Sequence, residues 1–273
     1  MPGKPYDFAV IGGDMRHLYL VEKLAATRHF ICHFGLCGTP MYERAQAVDS
    51  LKQAVEQARF VIGPIPLGKY QDIVEYLECG QVVLAGCIPE ALMTTLQAKG
   101  ITVIDLMLDE PFAIYNSIAT AEGALCEAIT RSSVNLHSSN CAVLGYGRCG
   151  RTLVHYLRGM FCRVDVYTPL PKEQAEAKII AEQVFSPQAL GQTPGKYDYI
   201  FNTIPAQIIR ANFLKKVKEQ AVIIDIAAAP GGIDYDAALK YHVCAWHCPG
   251  LPGKYAPLSS AEAIAAVIER VNE

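Results

Sequence analysis

The residues best spaced for chemistry are the glycines of Gly145-Tyr146-Gly147-Arg148-Cys149-Gly150, a G-x-G-x-x-G run. They follow an apolar run, Cys141-Ala142-Val143-Leu144, and open a stretch with helical spacing through Leu153, Tyr156 and Leu157. In a strand-turn-helix of this kind the first glycine makes the tight turn and the second admits a pyrophosphate to the backbone. The third lets helix and strand pack closely, and the helix N-terminus then faces the phosphates. The glycines alone are a weak signal, but in this context they predict a dinucleotide site, with Arg148 and Cys149 in the turn itself. The end of the next strand, Arg163 to Thr168, bears on the cofactor. A carboxylate there would hold the ribose 2′-hydroxyl of NAD. Tyr167 and Thr168 stand there instead, and Asp165 falls inside the strand. Thr168, Lys172 and Arg148 can accept a 2′-phosphate, so NADP is expected, with NAD as the alternative. Asn202, Thr203 and Pro205 close a later strand and are expected beside the nicotinamide ribose.

A second turn, Gly12-Gly13-Asp14-Met15-Arg16, lacks the third glycine and predicts no second dinucleotide. Two readings of it stay open. It can present helix N–H groups and Arg16 to a small anion, or Asp14 can cap a helix with Arg16 on the surface.

These turns need elements to hold them. Phe8 to Ile11, Phe30 to Phe34, Phe60 to Ile65, Gln81 to Ala85 and Thr102 to Asp105 read as short buried strands. Helices fit at Met15 to Ala26, Ala45 to Gln57, Tyr70 to Leu77 and Pro89 to Lys99. A helix with the apolar stripe Ile118, Ala121, Leu125 and Ile129 follows. A second alternating series then has strands at Cys141 to Leu144, Arg163 to Tyr167, Tyr199 to Asn202, Val222 to Ile226 and Val243 to Trp246. Alternation of this kind predicts an α/β fold: two doubly wound parallel-sheet (Rossmann-like) domains joined by a long helix. The expected boundaries are 1–113 for an N-terminal substrate domain, 114–131 for the linker helix and 132–250 for the dinucleotide domain. Residues 251–273 are expected to form a hinge, from Pro249-Gly250-Leu251-Pro252-Gly253, and a helix returning to the first domain. Ligands are expected beyond the carboxyl ends of the strands, in the cleft between the domains.

Composition excludes other classes. The chain has 273 residues and a formal net charge of −3, with no basic run interleaved with aromatics, which argues against a nucleic-acid or membrane-surface role. No apolar run approaches the ~18 residues of a membrane span. Met1 to Asp7 lead straight into a strand-like run, so no signal peptide and a cytoplasmic location are expected. The ten cysteines include no C-x-x-C pair. Cys244, His247 and Cys248 lack a second pair at zinc spacing, so no metal is expected.

Several runs together resemble the pyridine-nucleotide-binding chains of the dipicolinate synthase family of spore-forming bacteria. They are Gly12-Gly13-Asp14-Met15-Arg16, Tyr115-Asn116-Ser117 with Glu122-Gly123, and the Gly145 turn. Asn202-Thr203-Ile204-Pro205, Asp225-Ile226-Ala227-Ala228-Ala229-Pro230-Gly231-Gly232 and Pro249-Gly250-Leu251-Pro252-Gly253 follow in family order. The resemblance implies NADP-dependent oxidation of a dihydrodipicolinate-level intermediate to pyridine-2,6-dicarboxylate. It also implies a partner, the flavoprotein-like second component of dipicolinate synthase, and expression in the mother-cell cytoplasm during sporulation.

A small ring with two carboxylates needs anion donors on two sides. Asp14, Arg16, Asn116, Ser117, Thr120 and Lys254 are the expected substrate contacts. Glu122, Tyr115, His247 and Asp14 are the candidate bases; aromatisation is downhill and needs only a modest one. Two rival readings stand beside this one. In a 2-hydroxyacid dehydrogenase an arginine would follow the late strand and a histidine would follow Pro249, but Asp225 to Pro230 contains no arginine and Gly250 holds the second place. In a non-catalytic component the chain would bind the dinucleotide while its partner did the chemistry.

Overall fold

The computed structural model describes residues 4–272. Met1, Pro2 and Gly3, read above for a leader, lie outside the described residues, as does Glu273. The chain divides into two compact units. One runs to Asn116 and resumes at Pro252; the other is Ser117–Leu251.

In the first unit β1 (Tyr6–Ile11), α1 (Met15–Ala26), β2 (Ile31–Phe34), β3 (Ala45–Ala47), α2 (Leu51–Glu56) and β4 (Ala58–Ile62) come first. A 3-10 segment (Gly68–Glu75), β5 (Val82–Ala85), α3 (Glu90–Ala98) and β6 (Thr102–Asp105) follow. Helix α4 (Glu110–Thr130) carries the chain across the boundary. The second unit holds β7 (Asn140–Leu144), α5 (Arg148–Gly159), β8 (Arg163–Tyr167), α6 (Pro171–Ala177) and β9 (Gln183–Phe185). Its remaining elements are β10 (Tyr199–Asn202), α7 (Ala211–Leu214), β11 (Val222–Asp225), α8 (Tyr235–Lys240) and β12 (Cys244–His247). The short α9 (Leu251–Tyr255) and α10 (Pro257–Asn272) complete the described chain.

Both sheets are six-stranded and parallel. The first has the order β3-β2-β1-β4-β5-β6 and the second, read from its other edge, β9-β8-β7-β10-β11-β12. Each is thus the doubly wound Rossmann order, with the first strand of its unit central and the order reversing beside it. Central strands are apolar on both faces because helices cover both. In the first unit Phe8, Val10, Phe60 and Leu84 meet Leu20 and Leu24 of α1 and Ile264 and Ile268 of α10. On the opposite face Val61 and Val83 meet Val55, Ile73 and Leu96. Each fully buried aliphatic of this kind contributes roughly 1.5–3 kcal/mol.

Three expectations differ from the structure. The helix expected over Ala45 to Gln57 is two elements. Ala45–Ala47 pairs with Ile31–His33 as an edge strand, and the Ser50 side chain then accepts from Gln53 N to cap α2. The linker helix starts four residues early, at Glu110, because Asp109 Oδ1 accepts from Phe112 N at 2.9 Å and Pro111 is tolerated in a first helical turn. The proline-glycine hinge is a helical turn: Leu251, Pro252 and Gly253 are buried in α9.

Candidate functional site

In the second unit the chain leaves β7 through Gly145, at φ +94°, where its N–H bonds Tyr167 O at 2.8 Å. The three glycines meet three different surroundings. A Cβ on Gly145 would lie 2.2 Å from Thr203 Oγ1, and one on Gly150 would lie 2.2 Å from Gly145 O. Both positions are closed by packing. Gly147 is the N-cap of α5, has no side-chain cap bond, and a Cβ there would meet nothing within 4 Å. The first N–H groups of α5 therefore point past a bare Cα, which fits a pyrophosphate approaching the backbone. Arg148 is exposed beside it. The Cys149 thiol, pushed up by burial, is hydrogen-bonded to Thr120.

The carboxyl ends of β10 and β11 carry a closed polar network. Asn202 Nδ2 donates to Asp225 Oδ1 at 2.8 Å and to Ile204 O at 3.0 Å, and Thr203 Oγ1 donates to Leu144 O at 2.9 Å. Asp225, fully buried, also accepts from Ala227 N, Gly232 N and the Tyr235 hydroxyl. Burial and this carboxylate push the Tyr235 hydroxyl well above the usual phenol range. Gly232 is held so close that a Cβ would sit 2.3 Å from Asn202 Nδ2. The Asp225 to Gly232 run is a wrap around one buried carboxylate, and Asn202 serves that wrap. Pro205 is exposed beyond it.

At the end of β8, Tyr167 points into the core and bonds the Tyr197 hydroxyl at 2.6 Å. Thr168 is buried and donates to Glu173. Lys172, 84% exposed at its side chain, lies 4.0 Å from Glu176. Two carboxylates at this strand end thus went unread in the sequence, because each belongs to α6 and not to the strand. Asp165 is inside β8, paired with Lys196 and the Tyr197 hydroxyl.

The expected substrate and catalytic residues fall into separate places. Ser117 Oγ lies 2.9 Å from Thr152 Oγ1, so Ser117 and Thr120 both face α5. Glu122 is exposed and hydrogen-bonded to Tyr156, more than two turns along α5 from the glycine turn. His247 Nε2 lies 2.9 Å from Ala227 O at the end of β12. Tyr115 is 64% exposed and borders a groove of about 300 Å³ with Phe112, Glu262 and Arg270.

Asp14, Arg16 and Asn116 do come together, in the first unit. Asp14 caps α1, accepting from Arg16 N at 3.0 Å. The Arg16 side chain folds back on the same carboxylate, Nε at 2.9 Å and Nη2 at 2.7 Å, with Nη1 3.4 Å from Asn116 Oδ1. Arg16 is 2% exposed, so the surface reading of this residue is corrected: capping and arginine pairing are one construction. His17, fully buried, bonds Gly63 O through Nε2 at 3.1 Å and sets Nδ1 3.7 Å from Asp14. Burial raises the Asp14 carboxyl, but the neighbouring His17 ring and the hydrogen bonds and charge of Arg16 outweigh it and hold the group well below the usual carboxylate range. Gly253 of α9 closes the other side, where a Cβ would fall 2.1 Å from Asp14 Oδ2. Lys254, next to it, is exposed with its ammonium 4.9 Å from the Tyr255 ring.

Comparison with known proteins agrees with both halves. Residues 7–74 match the family model of the N-terminal domain of the dipicolinate synthase A-subunit, and residues 113–240 that of the D-isomer specific 2-hydroxyacid dehydrogenase NAD-binding domain. The chain is 27% identical to the dipicolinate synthase A-subunit of Bacillus subtilis, over 96% of this chain and 94% of that one. The crystal structure of the same protein from Bacillus halodurans superimposes with a TM-score of 0.84 at 26% identity, covering 97% of both chains. The Bacillus subtilis crystal structure gives 0.81 at 26% identity, covering 99% of this chain and 96% of the other. The second unit matches that dehydrogenase family's NAD-binding domain, while Asp225 to Pro230 contains no arginine and Gly250 follows Pro249. The chain carries a Rossmann-like, dinucleotide-binding oxidoreductase domain and is similar, over nearly its whole length, to the A-subunit of dipicolinate synthase.

Proposed function

We propose that this chain is the nicotinamide-dinucleotide-dependent component of a dipicolinate synthase, oxidising a dihydrodipicolinate-level intermediate to pyridine-2,6-dicarboxylate in sporulating cells. The observation that carries the dinucleotide half is the bare Cα of Gly147 at the N-terminus of α5, between two glycines whose Cβ positions are filled. The whole-length similarity to the dipicolinate synthase protein of Bacillus subtilis supports the substrate. When bound, the oxidised nicotinamide accepts a hydride; the ring of the substrate loses that hydride and one proton and becomes aromatic. The chain's own residues bind the pyrophosphate at Gly147 to Gly150, hold the Thr203 and Asn202 end of the site rigid through Asp225, and accept or pass on one proton. Asp14, held as a low carboxylate by Arg16 and His17, is a weak base and suits an electrostatic role better. His247 and Tyr115 stand as the candidates for the proton.

NADP is the cofactor we propose, on Arg148 and Lys172. Glu173, hydrogen-bonded to Thr168, carries the charge that favours a ribose 2′-hydroxyl and so opposes that choice. A second reading, favoured by the engagement of Glu122 with Tyr156 and of His247 with Ala227 O, is that the flavoprotein-like partner completes the site. The test is reduction of NADP+ and of NAD+ by the chain alone, on freshly generated hydroxy-tetrahydrodipicolinate, then with that partner added. Coupled reduced nucleotide and dipicolinate from the chain alone assigns it the chemistry. Turnover only with the partner assigns a composite site. Tight dinucleotide binding with no turnover in either mixture removes the substrate assignment.

A further inference from the structure

The first unit has a cavity at the carboxyl ends of three adjacent strands. β1, β2 and β4 all leave the sheet through glycine, at Gly12, Gly35 and Gly63, and a hollow of about 350 Å³ opens beside Gly13, Gly35 and the Pro64 to Tyr70 loop. That volume falls within the ~300–1,000 Å³ usual for small-molecule sites, and this end of a doubly wound sheet is where ligands bind. The Tyr70 ring forms one wall. A Cβ on Gly12 would lie 2.3 Å from its Cε2, and one on Gly35 would lie 3.0 Å from its hydroxyl.

The charges in this hollow are unequal in availability. Arg16 lies behind it, spent on Asp14 and 3.4 Å from Ile65 O, and 2% exposed, so its buried guanidinium cannot meet a ligand without abandoning the Asp14 carboxylate. Asp14 faces the hollow as an anion. The cation that lines it is Lys69, exposed, with its ammonium 5.3 Å from the Tyr70 ring centroid. The lysine follows Gly68, at φ +55°, where the 3-10 segment begins.

We propose that this hollow is a carboxylate-binding subsite in which Lys69 takes the carboxylate, while Arg16 is a positioning residue that holds Asp14 and offsets its charge. The ligand class is a small ring or chain carboxylate. Its identification as the substrate rests on the function proposed above, and Lys69 replaces Arg16 as the anion donor in that reading.

The probe is pyridine-2,6-dicarboxylate, titrated calorimetrically into the full chain, with malonate and pyruvate as comparison carboxylates. Lys69→Gln should weaken binding about tenfold, the usual loss for one charge-assisted hydrogen bond, and Lys69→Arg should restore most of it. Dinucleotide affinity should be the same in all three proteins, which shows that the fold is intact. Acetylation of Lys69, followed by mass spectrometry, should slow when the ligand is present. Lys69-dependent binding of malonate or pyruvate but not of the pyridine dicarboxylate would uphold the subsite and remove the substrate assignment. Wild-type affinity or KM in Lys69→Gln would overturn the subsite and leave the proposed oxidation standing, and absence of binding by any of the three probes would overturn the subsite too.

Discussion

The first turn of each unit occupies the same place in its own sheet, between the central strand and the helix after it, yet the two are built for opposite purposes. At Gly147 the helix end has no side-chain cap bond and room where a Cβ would be. At Asp14 the equivalent end is closed by the protein's own carboxylate, and the His17 ring fills the space beside Gly13, 2.2 Å from where a Cβ would stand. An anion already sits on the first helix, held there by a buried arginine. Topology therefore provides an anion-attracting position in both units, and one side chain decides whether a phosphate can use it.

The comparison can be broken at its centre. Gly147→Asp would give the second turn the cap of the first, and dinucleotide affinity should fall by about two orders of magnitude or more while the melting temperature holds, because the cap itself is favourable. Calorimetric titration beside a melting curve checks both; retained affinity would mean that the open helix end is not the phosphate site.

The converse change, Asp14→Asn, leaves Arg16 as a buried charge facing neutral groups, the new amide, Asn116 Oδ1 and Ile65 O. It should cost about 2 kcal/mol at pH 7, discounted because Asp14 is partly exposed. Since the folded carboxyl lies below its unfolded value near 3.8, this stabilisation is complete above about pH 4 and is lost as pH falls through the folded value. Urea denaturation of wild type and variant should therefore differ at pH 7 and converge in strong acid.

Gly253→Ala sharpens the same point from outside, since the new Cβ must push the Asp14 carboxylate off Arg16; a loss of about 1–2 kcal/mol is expected, with dinucleotide affinity unchanged. The smallest effect belongs to Glu173→Gln, which should raise affinity for NADP relative to NAD several-fold, about 1 kcal/mol, in paired titrations.

Much of this was legible along the chain. The alternation of short apolar runs with helical spacing gives both parallel sheets, because strands buried on both faces must be apolar throughout and helices must show one stripe. The strands Ala45–Ala47 and Gln183–Phe185 were not legible, being three-residue edges of mixed polarity. At the dinucleotide turn, the spacing of Gly145, Gly147 and Gly150 carried the reading. What spacing could not carry was partnership across the fold. Nothing near Thr168 in sequence says that Glu173 turns back to it. Nothing near Arg16 says that it folds onto Asp14 and not outward, and Gly253 meets Asp14 only after the rest of the chain has been laid down.

That last contact has a consequence for the order in which the molecule is made. The first unit is interrupted in sequence by the whole of the second, and α10, which supplies Ala261, Ile264, Ala265, Val267 and Ile268 to the first core, follows the second unit in the chain. Until α10 is made, the face carrying Phe8, Val10 and Leu24 lacks part of its cover, whereas Ser117–Leu251 has all of its own sheet. The second unit is thus complete in sequence before the first is, and the apolar face that α10 covers is the one exposed in a chain that stops short of it.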